Sequence, residues 1–397
     1  MTTIFSNARL VLPDSIVDRG ALVIDEAGGI ADITTAPIDR VAGADWHDLS
    51  GHIVVPGFID VHVHGVEGAD TLATATAVAD MARRLPAYGV TGFCPTTVAC
   101  TPAALRGLLD AVRASRHVNA PGEAAVLGAH LESNFINPDY RGAQPAECLR
   151  LPSRDRVDAP GGAFAGQDIL DEIASARDDV AIITVAPELD GVLDLVGALA
   201  DAGHVVSLGH SAATYAQGLQ GIDRGARHAT HLFNRMPPFS HRAPGLVGAV
   251  IDSPSVRAEI VCDGYHVHAV VARTAIAALG ADRTMAITDG TAGSGLPIGS
   301  VVPLGTHSIT VTPEACFLPD GTLAGSRLTM DGAFKRLVSQ WGLSLVAAAR
   351  LCASTPAAQL GLADRGRLEV GRRADLAVLD HDLRPVATFI RGISHVR

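Results

Sequence analysis

The sequence predicts an α/β protein, a parallel (β/α)8 TIM-like barrel carrying a small β-sandwich domain formed from both chain termini. Three observations carry that expectation. Eight short apolar segments recur through the middle of the chain, each followed by a stretch long enough for a helix. The two ends read instead as short strands broken by turns. Polar residues gather at the C-terminal ends of the middle strands, which is where a parallel barrel places its working face.

Residues 1–55 form the first part of the sandwich, with strands expected at Ile4–Leu12, Ala21–Asp25 and His52–Val55. Pro13-Asp14, Gly28-Gly29 and Gly51 break them. Residues 361–397 supply the second part, where Gly366–Gly371, Ala374–Asp380 and Val386–Ile393 have the same character. Residues 56–360 hold the barrel. Its strands are expected at Phe58–His64, Gly89–Val98, Ala125–Glu132, Val180–Pro187, His204–Ser211, Ala226–Asn234, Ala258–His266 and Thr284–Asp289. A β-hairpin insert follows within residues 299–323, with Pro319-Asp320-Gly321 as its turn, placed to act as a flap. From Leu328 to Leu360 the apolar spacing is helical, with breaks expected at Gly342 and Pro356.

The chain has 397 residues, 48% hydrophobic and 18% charged, enough to bury a large core. Its formal charge of −11 and the lack of a dense Lys/Arg stripe argue against nucleic acid or an anionic membrane as partner. Six cysteines without a C-x-x-C pair fit reduced thiols in a cytoplasm. The opening residues lack the charge and hydropathy pattern of a secretory signal, and no apolar run is long enough to span a bilayer. A cytoplasmic protein is expected.

The most informative stretch is Phe58-Ile59-Asp60-Val61-His62-Val63-His64-Gly65. Side chains alternate along a strand, so Asp60, His62 and His64 share one face, and the two imidazoles can close on one divalent ion. Taken alone, the pair reads equally well as two ordinary strand histidines. Glu132, His210, His231 and Asp289 at later strand ends change the balance, because together the six supply the nitrogen and oxygen donors that suit zinc or another first-row ion.

These segments resemble the N-acetylglucosamine-6-phosphate deacetylase family of the amidohydrolase superfamily along nearly the whole chain. The matching pieces are Pro56–Gly65, Gly128–Glu132, Val185–Glu188, Ser207–Ser211, Ala229–Pro237, Asp263–His266, Thr288–Gly290 and Gly321–Ser326. The segment Thr230-His231-Leu232-Phe233-Asn234-Arg235-Met236-Pro237 is far more particular to this group than His-x-His. The resemblance implies that Glu132, His210 and His231 hold the principal ion, with His62 and His64 available for a second. The ion expected is zinc, with iron, manganese or cobalt as alternatives. Asp289 is then the catalytic general base and later general acid. Ala143, Asn234, Arg235, Arg242 and His266 are implied to contact a phosphorylated amino sugar, with Leu323, Ala324 and Gly325 closing over its ring. Arg242 is implied to reach the neighbouring subunit's site, which makes a homodimer.

The chain departs from the family pattern in three places. Ser133-Asn134 stands where relatives carry Gly-Pro, Arg141-Gly142-Ala143-Gln144 where they carry Lys-Gly-Ala-His, and Asp289-Gly290-Thr291 where they carry Asp-Ala-Thr. The family histidine replaced by Gln144 contacts the sugar, and an amide cannot become cationic. The expected reaction is hydrolysis of the acetamide of N-acetylglucosamine-6-phosphate to acetate and glucosamine-6-phosphate. The alternatives are a related substrate such as N-acetylgalactosamine-6-phosphate, or another amide cleaved by the same superfamily. A noncatalytic binding protein fits poorly with an intact donor set and Asp289.

Overall fold

The protein was studied as a computed structural model, which describes residues 2–118 and 120–395. Every one of the eight expected middle segments contains a strand: Phe58–Val63, Val90–Pro95, Ala129–Glu132 with Ala125–Val126 before it, Val180–Val185, Val205–Leu208, His228–Ala229, Arg257–Val261 and Thr284–Ile287. All pair in parallel. The third strand is interrupted at Leu127-Gly128, where Gly128 takes a φ of 107° beside the backbone of Ala181. Single bridges complete the ring, joining Thr96 to His130 and Val63 to Gly290.

A helix follows each strand among the described residues: Ala77–Arg84, Pro102–Val118, Gly166–Ser175, Val192–Asp201, Tyr215–Asp223, Gly245–Asp252, Ala269–Leu279 and Met330–Ser339. Their apolar stripes explain why they lie on the barrel. Leu105, Leu108, Leu109 and Val112 are the buried face of one, and Met330, Ala333, Phe334 and Leu337 that of another, both at helical spacing. Phe334 stacks on Phe58 with ring centroids 5.2 Å apart, fixing the last helix to the first strand.

Alternate residues of the strands divide the barrel chemically. Leu131, Ile183, Val185, Val206, Leu208, Ala258 and Ile260 join the core shared with the helices. Several of their neighbours in sequence are polar and hydrogen-bond across the ring: His130 Nε2 to Thr184 Oγ1 at 2.8 Å, Thr184 to Thr230 at 2.7 Å, and Ser207 to Thr230 at 2.5 Å. Burying so many polar groups is tolerable because each finds a partner.

The chain ends build one eight-stranded sheet around its own apolar core of Phe5, Leu10, Leu22, Ile24, Val54, Leu376 and Phe389. Strand Thr3–Val11 forks: its first half pairs with Asp45–Asp48 and its second with Ile53–Pro56, both in parallel. Leu376–Leu379 then pairs with Ile53–Pro56 from the far end of the chain. This fold is the expected barrel with a β-sandwich. Two strands of the sandwich, Ile30–Thr34 and Asp45–Asp48, were not anticipated, and Gly366–Gly371 is irregular where a strand was expected. Gly366 explains the last point, since its φ of 81° and close approach to Ala353 make a turn.

Where a single hairpin was expected, the insert is a three-stranded antiparallel unit of Val301–Leu304, His307–Val311 and Cys316–Phe317; its first two strands turn at Gly305-Thr306, and Pro319-Asp320-Gly321 lie in a turn after the third strand, at Leu318–Thr322. The helical run beyond it does pause at Gly342, but Pro356 does not break it. Leu345–Ala349 passes through a π-turn at Arg350–Ser354 into Thr355–Gln359, so Pro356 falls in the first turn of a new α segment, where its missing N–H is no loss. No helix among the described residues is long and apolar enough to cross a membrane.

Gly65 ends the first strand where the barrel closes, and a Cβ there would lie 2.2 Å from the Ala69 carbonyl oxygen and 2.6 Å from the Ala292 nitrogen. Both are backbone atoms that cannot swing aside. Gly68, three residues on, has a φ of 88° and open space around it. Gly65→Ala is expected to lower the unfolding free energy by about 2 kcal/mol or more, and Gly68→Ala by about 1 kcal/mol. Urea denaturation of the two variants checks the order; equal losses would contradict the close-packed closure.

Candidate metal centre and substrate cavity

Five barrel strands deliver the expected donors to one buried point. His62 and His64 arrive on the first strand, Glu132 on the third, and His210, His231 and Asp289 just past the fifth, sixth and eighth. His210, His231 and Asp289 all hold left-handed backbone, with φ of 47°, 26° and 48°. Residues other than glycine seldom adopt it, and here it turns each chain segment sharply at the strand end. Backbone hydrogen bonds lock these turns: the Asn137 N–H donates to the His210 carbonyl at 2.9 Å, and the Asp289 N–H to that of His62 at 3.0 Å.

Glu132 is the centre of the cluster. Its Oε1 lies 2.7 Å from His210 Nε2, 2.8 Å from His231 Nε2 and 3.8 Å from His62 Nε2. Its Oε2 lies 3.6 Å from His64 Nε2. The two histidine pairs are tight, with Nε2 to Nε2 distances of 3.1 Å for His210 and His231 and 3.3 Å for His62 and His64. Asp289 Oδ1 stands 3.3 Å from His64 Nε2 and 3.4 Å from His62 Nε2.

These residues fit a divalent cation. His210 Nδ1 donates to the Tyr140 carbonyl at 2.8 Å, so the neutral ring turns a lone pair on Nε2 toward a carboxylate oxygen that also only accepts. His62 is arranged the same way, its Nδ1 2.9 Å from Glu259 Oε2. Acceptors facing acceptors at this range call for a cation between them, and mixed imidazole and carboxylate donors are those of zinc and its neighbours. Among the described residues, donor groupings with ligand atoms close enough for one ion include His62, Glu132 and His231, and also His62, His64 and Asp289.

Proton affinities follow from the same crowding. Burial alone would push the His62 imidazolium down, but Glu259, with Asp289 and Glu132 beyond it, carries it up to about 10, so an ion binding at Nε2 displaces a proton there. Burial pushes the Glu132 carboxyl up, yet His210, His231 and His62 overcome that and hold it well below the usual range. Asp289 behaves likewise, with burial opposed by His64, His62 and His266, and ends below its ordinary value. His231 is shifted down, chiefly by burial.

Asp60 shares a face with His62 but lies deeper. It accepts from Thr288 Oγ1 at 2.5 Å and ties the first strand to the eighth, and burial carries its carboxyl up to about 7. It belongs to the barrel's seam and not to the donor cluster.

A narrow cavity of about 30 Å³ opens above the donors. His64, Glu132, His210, His231 and Asp289 line it, with Ala143, Asn234, Arg235, His266, Leu323, Ala324 and Gly325. The expected substrate residues are therefore brought together, except Arg242. That residue is exposed in a loop and does not line its own chain's cavity. His266 Nδ1 is held by Asp263 Oδ2 at 2.6 Å, while its Nε2 is buried without a hydrogen-bond partner, 3.4 Å from Asp289 Oδ2. Burial would push the His266 imidazolium down, but Asp263 raises it. Arg235 is half-buried, and burial together with nearby Arg141 lowers its proton affinity.

Two features lay beyond the sequence reading. Gln144 donates through Nε2 to Glu132 Oε2 and accepts the Ala99 N–H at 2.6 Å through Oε1, so its amide serves the central carboxylate. Glu259 accepts from His62 and His228 while fully buried. A carboxylate set among Ala258, Ile260 and Val261 was the available signal, since a buried charge needs a partner.

Comparison with known proteins agrees with this geometry. The amidohydrolase family model matches residues 53–394. N-acetylglucosamine-6-phosphate deacetylase of Bacillus subtilis (strain 168) is 33% identical over 390 residues, covering 96% of this chain and 94% of its own. That of Rattus norvegicus is 35% identical over 365 residues, with 89% and 86% covered. Among solved structures, the Pasteurella multocida deacetylase superposes with a TM-score of 0.89 at 28% identity, over 100% of both chains. A mutant of the Mycobacterium smegmatis enzyme, in complex with N-acetyl-D-glucosamine-6-phosphate, gives 0.87 at 30% identity, covering 100% of this chain and 99% of its own. The chain belongs to the amidohydrolase family and, within it, groups with the N-acetylglucosamine-6-phosphate deacetylases.

Proposed function

We propose that this chain hydrolyses the acetamide of N-acetylglucosamine-6-phosphate, giving acetate and glucosamine-6-phosphate. One observation carries the reading: Glu132, His210 and His231 meet within 3.1 Å of one another beside Asp289, at the floor of a cavity with basic residues in its lining. Relatives of that named activity, similar over nearly the whole chain, support the substrate.

Glu132, His210 and His231 would hold the principal ion, and His62 and His64 with Asp289 a second. Zinc suits the donor set best, with iron, manganese or cobalt as alternatives. When bound, the ion polarises the amide carbonyl and makes water a stronger acid. Asp289 takes the proton of the attacking water on a carboxylate oxygen and returns it to the departing amine nitrogen. The histidines around it keep it ionised, so it begins the cycle as a base. His266, oriented by Asp263, offers Nε2 to the substrate.

Arg235 suits the 6-phosphate, because a guanidinium gives several donors at fixed charge. No carboxylate pairs with it among the described residues, and Arg141 stands near enough to act on its charge. Ala143 and Asn234 flank the sugar, and Leu323, Ala324 and Gly325 close over its ring from the insert. Ser133 and Asn134 do not line the cavity: Ser133 donates to the Thr184 carbonyl at 2.5 Å, and Asn134 to those of Cys100 and Cys148 at 2.7 Å. Those departures from the family pattern are absorbed by the scaffold and leave the substrate reading in place. Arg242, exposed on its own chain, would reach the partner's site in a homodimer. Six buried, unpaired cysteines support a reducing cytoplasmic setting.

Asp289→Asn should lower turnover about 10²–10⁴-fold while the metal content is retained. Acetate release together with elemental analysis checks this, and unchanged turnover would remove the assigned role. Arg235→Met should raise KM for the 6-phosphate about 10-fold or more, as expected for a lost charged hydrogen bond, with little change for the dephosphorylated sugar. Equal effects on both substrates, measured by the same assay, would place the phosphate elsewhere.

A further inference from the structure

We propose that Glu259 is a positioning residue whose single oxygen Oε2 braces ligands of both metal positions at once, an inference that rests on the metal-dependent reading above. Glu259 lies within the seventh barrel strand, fully buried. Oε2 accepts His62 Nδ1–H at 2.9 Å and the backbone N–H of His231 at 3.0 Å. Oε1 accepts from His228 Nε2 at 2.8 Å.

The two contacts on Oε2 do different work. Holding the proton of His62 on Nδ1 leaves Nε2 as the lone pair that faces His64, Glu132 and Asp289. His231 has a φ of 26°, a backbone state that needs an external restraint, and the bond to its N–H supplies one. The Glu259 carbonyl adds another by accepting the Leu232 N–H at 2.9 Å. One side chain therefore sets the ring orientation of a first-strand donor and the backbone from which a sixth-strand donor projects.

Substitutions of similar size separate bracing from packing. In Glu259→Gln the amide oxygen can keep both Oε2 contacts, and its NH2 can donate to His228. His228 can follow by carrying its proton on Nδ1 and freeing Nε2 to accept, at the cost of one buried N–H without an acceptor. Glu259→Leu fills similar space but accepts nothing.

The test is zinc affinity of the full-length protein, read by competition with a chromophoric chelator. Glu259→Leu should weaken binding about 10–100-fold, and Glu259→Gln should stay within a few-fold of the unsubstituted protein. Equal affinity in the Leu and Gln variants would overturn the inference. Zinc binding too weak to measure in the unsubstituted protein would overturn the metal reading and this inference with it, whereas normal binding in Glu259→Leu overturns the inference alone. Should Glu259→Leu fail to fold, long-range 1H–15N spectra of the zinc-loaded, histidine-labelled protein decide the question, with His62 assigned from His62→Asn. A proton on Nδ1 of His62 is expected; a proton on Nε2 would refute the bracing.

Discussion

The hydrogen bonds that close the first barrel strand on the eighth are the constraint on which the rest of the site depends. The Asp289 N–H donates to the His62 carbonyl at 3.0 Å, and the His64 N–H to that of Gly290 at 2.7 Å. That register puts the His-x-His pair beside the proposed proton carrier, although 225 residues separate His64 from Asp289 in the chain. Because the strands are parallel, the same closure brings the ends of the third, fifth and sixth strands to the same mouth. A slip of one residue would turn every inward side chain outward and exchange the donors for apolar groups.

Holding carboxylates and imidazoles this close in a buried space is unfavourable unless each is matched. The structure meets this with layers. Beneath the donor cluster, Glu259, His228, His130, Thr184, Thr230 and Ser207 satisfy one another across the barrel. This makes one layer of the barrel polar, while Ile59, Val61, Ile182, Val261, Met285 and Ile287 keep an apolar cluster of the kind that commonly fills such interiors. Above the cluster, Gln144 takes the edge of the Glu132 carboxylate that faces the cavity. The strained turns at His210, His231 and Asp289 are sustained because the surrounding hydrogen bonds over-determine them.

Much of this was legible in the sequence, for physical reasons that differ by element. The barrel strands announced themselves because each buries an apolar face against helices, and the donors because they sit where apolar runs stop. The strands Ile30–Thr34 and Asp45–Asp48 stayed hidden, since Ile30 is the one buried residue between them and they leave no alternation to read. Pro356 misled because a π-turn before it removed the need for its N–H, a tertiary adjustment that local pattern does not encode. Glu259 was visible only as a charge among Ala258, Ile260 and Val261, and its partners, 197 residues away at His62 and 31 away at His228, come from the fold. The contact of Gln144 with Glu132 likewise depends on where a loop folds back, so its residue type alone suggested only a change in sugar recognition.

The central claim is that these buried nitrogens and oxygens grip an ion. Anomalous diffraction at the zinc edge, from crystals of the zinc-loaded protein, tests it most directly. The account predicts a peak about 2.0–2.2 Å from Glu132 Oε1, His210 Nε2 and His231 Nε2. A fully loaded crystal with no peak among those atoms, or with zinc bound only elsewhere on the molecule, would contradict it.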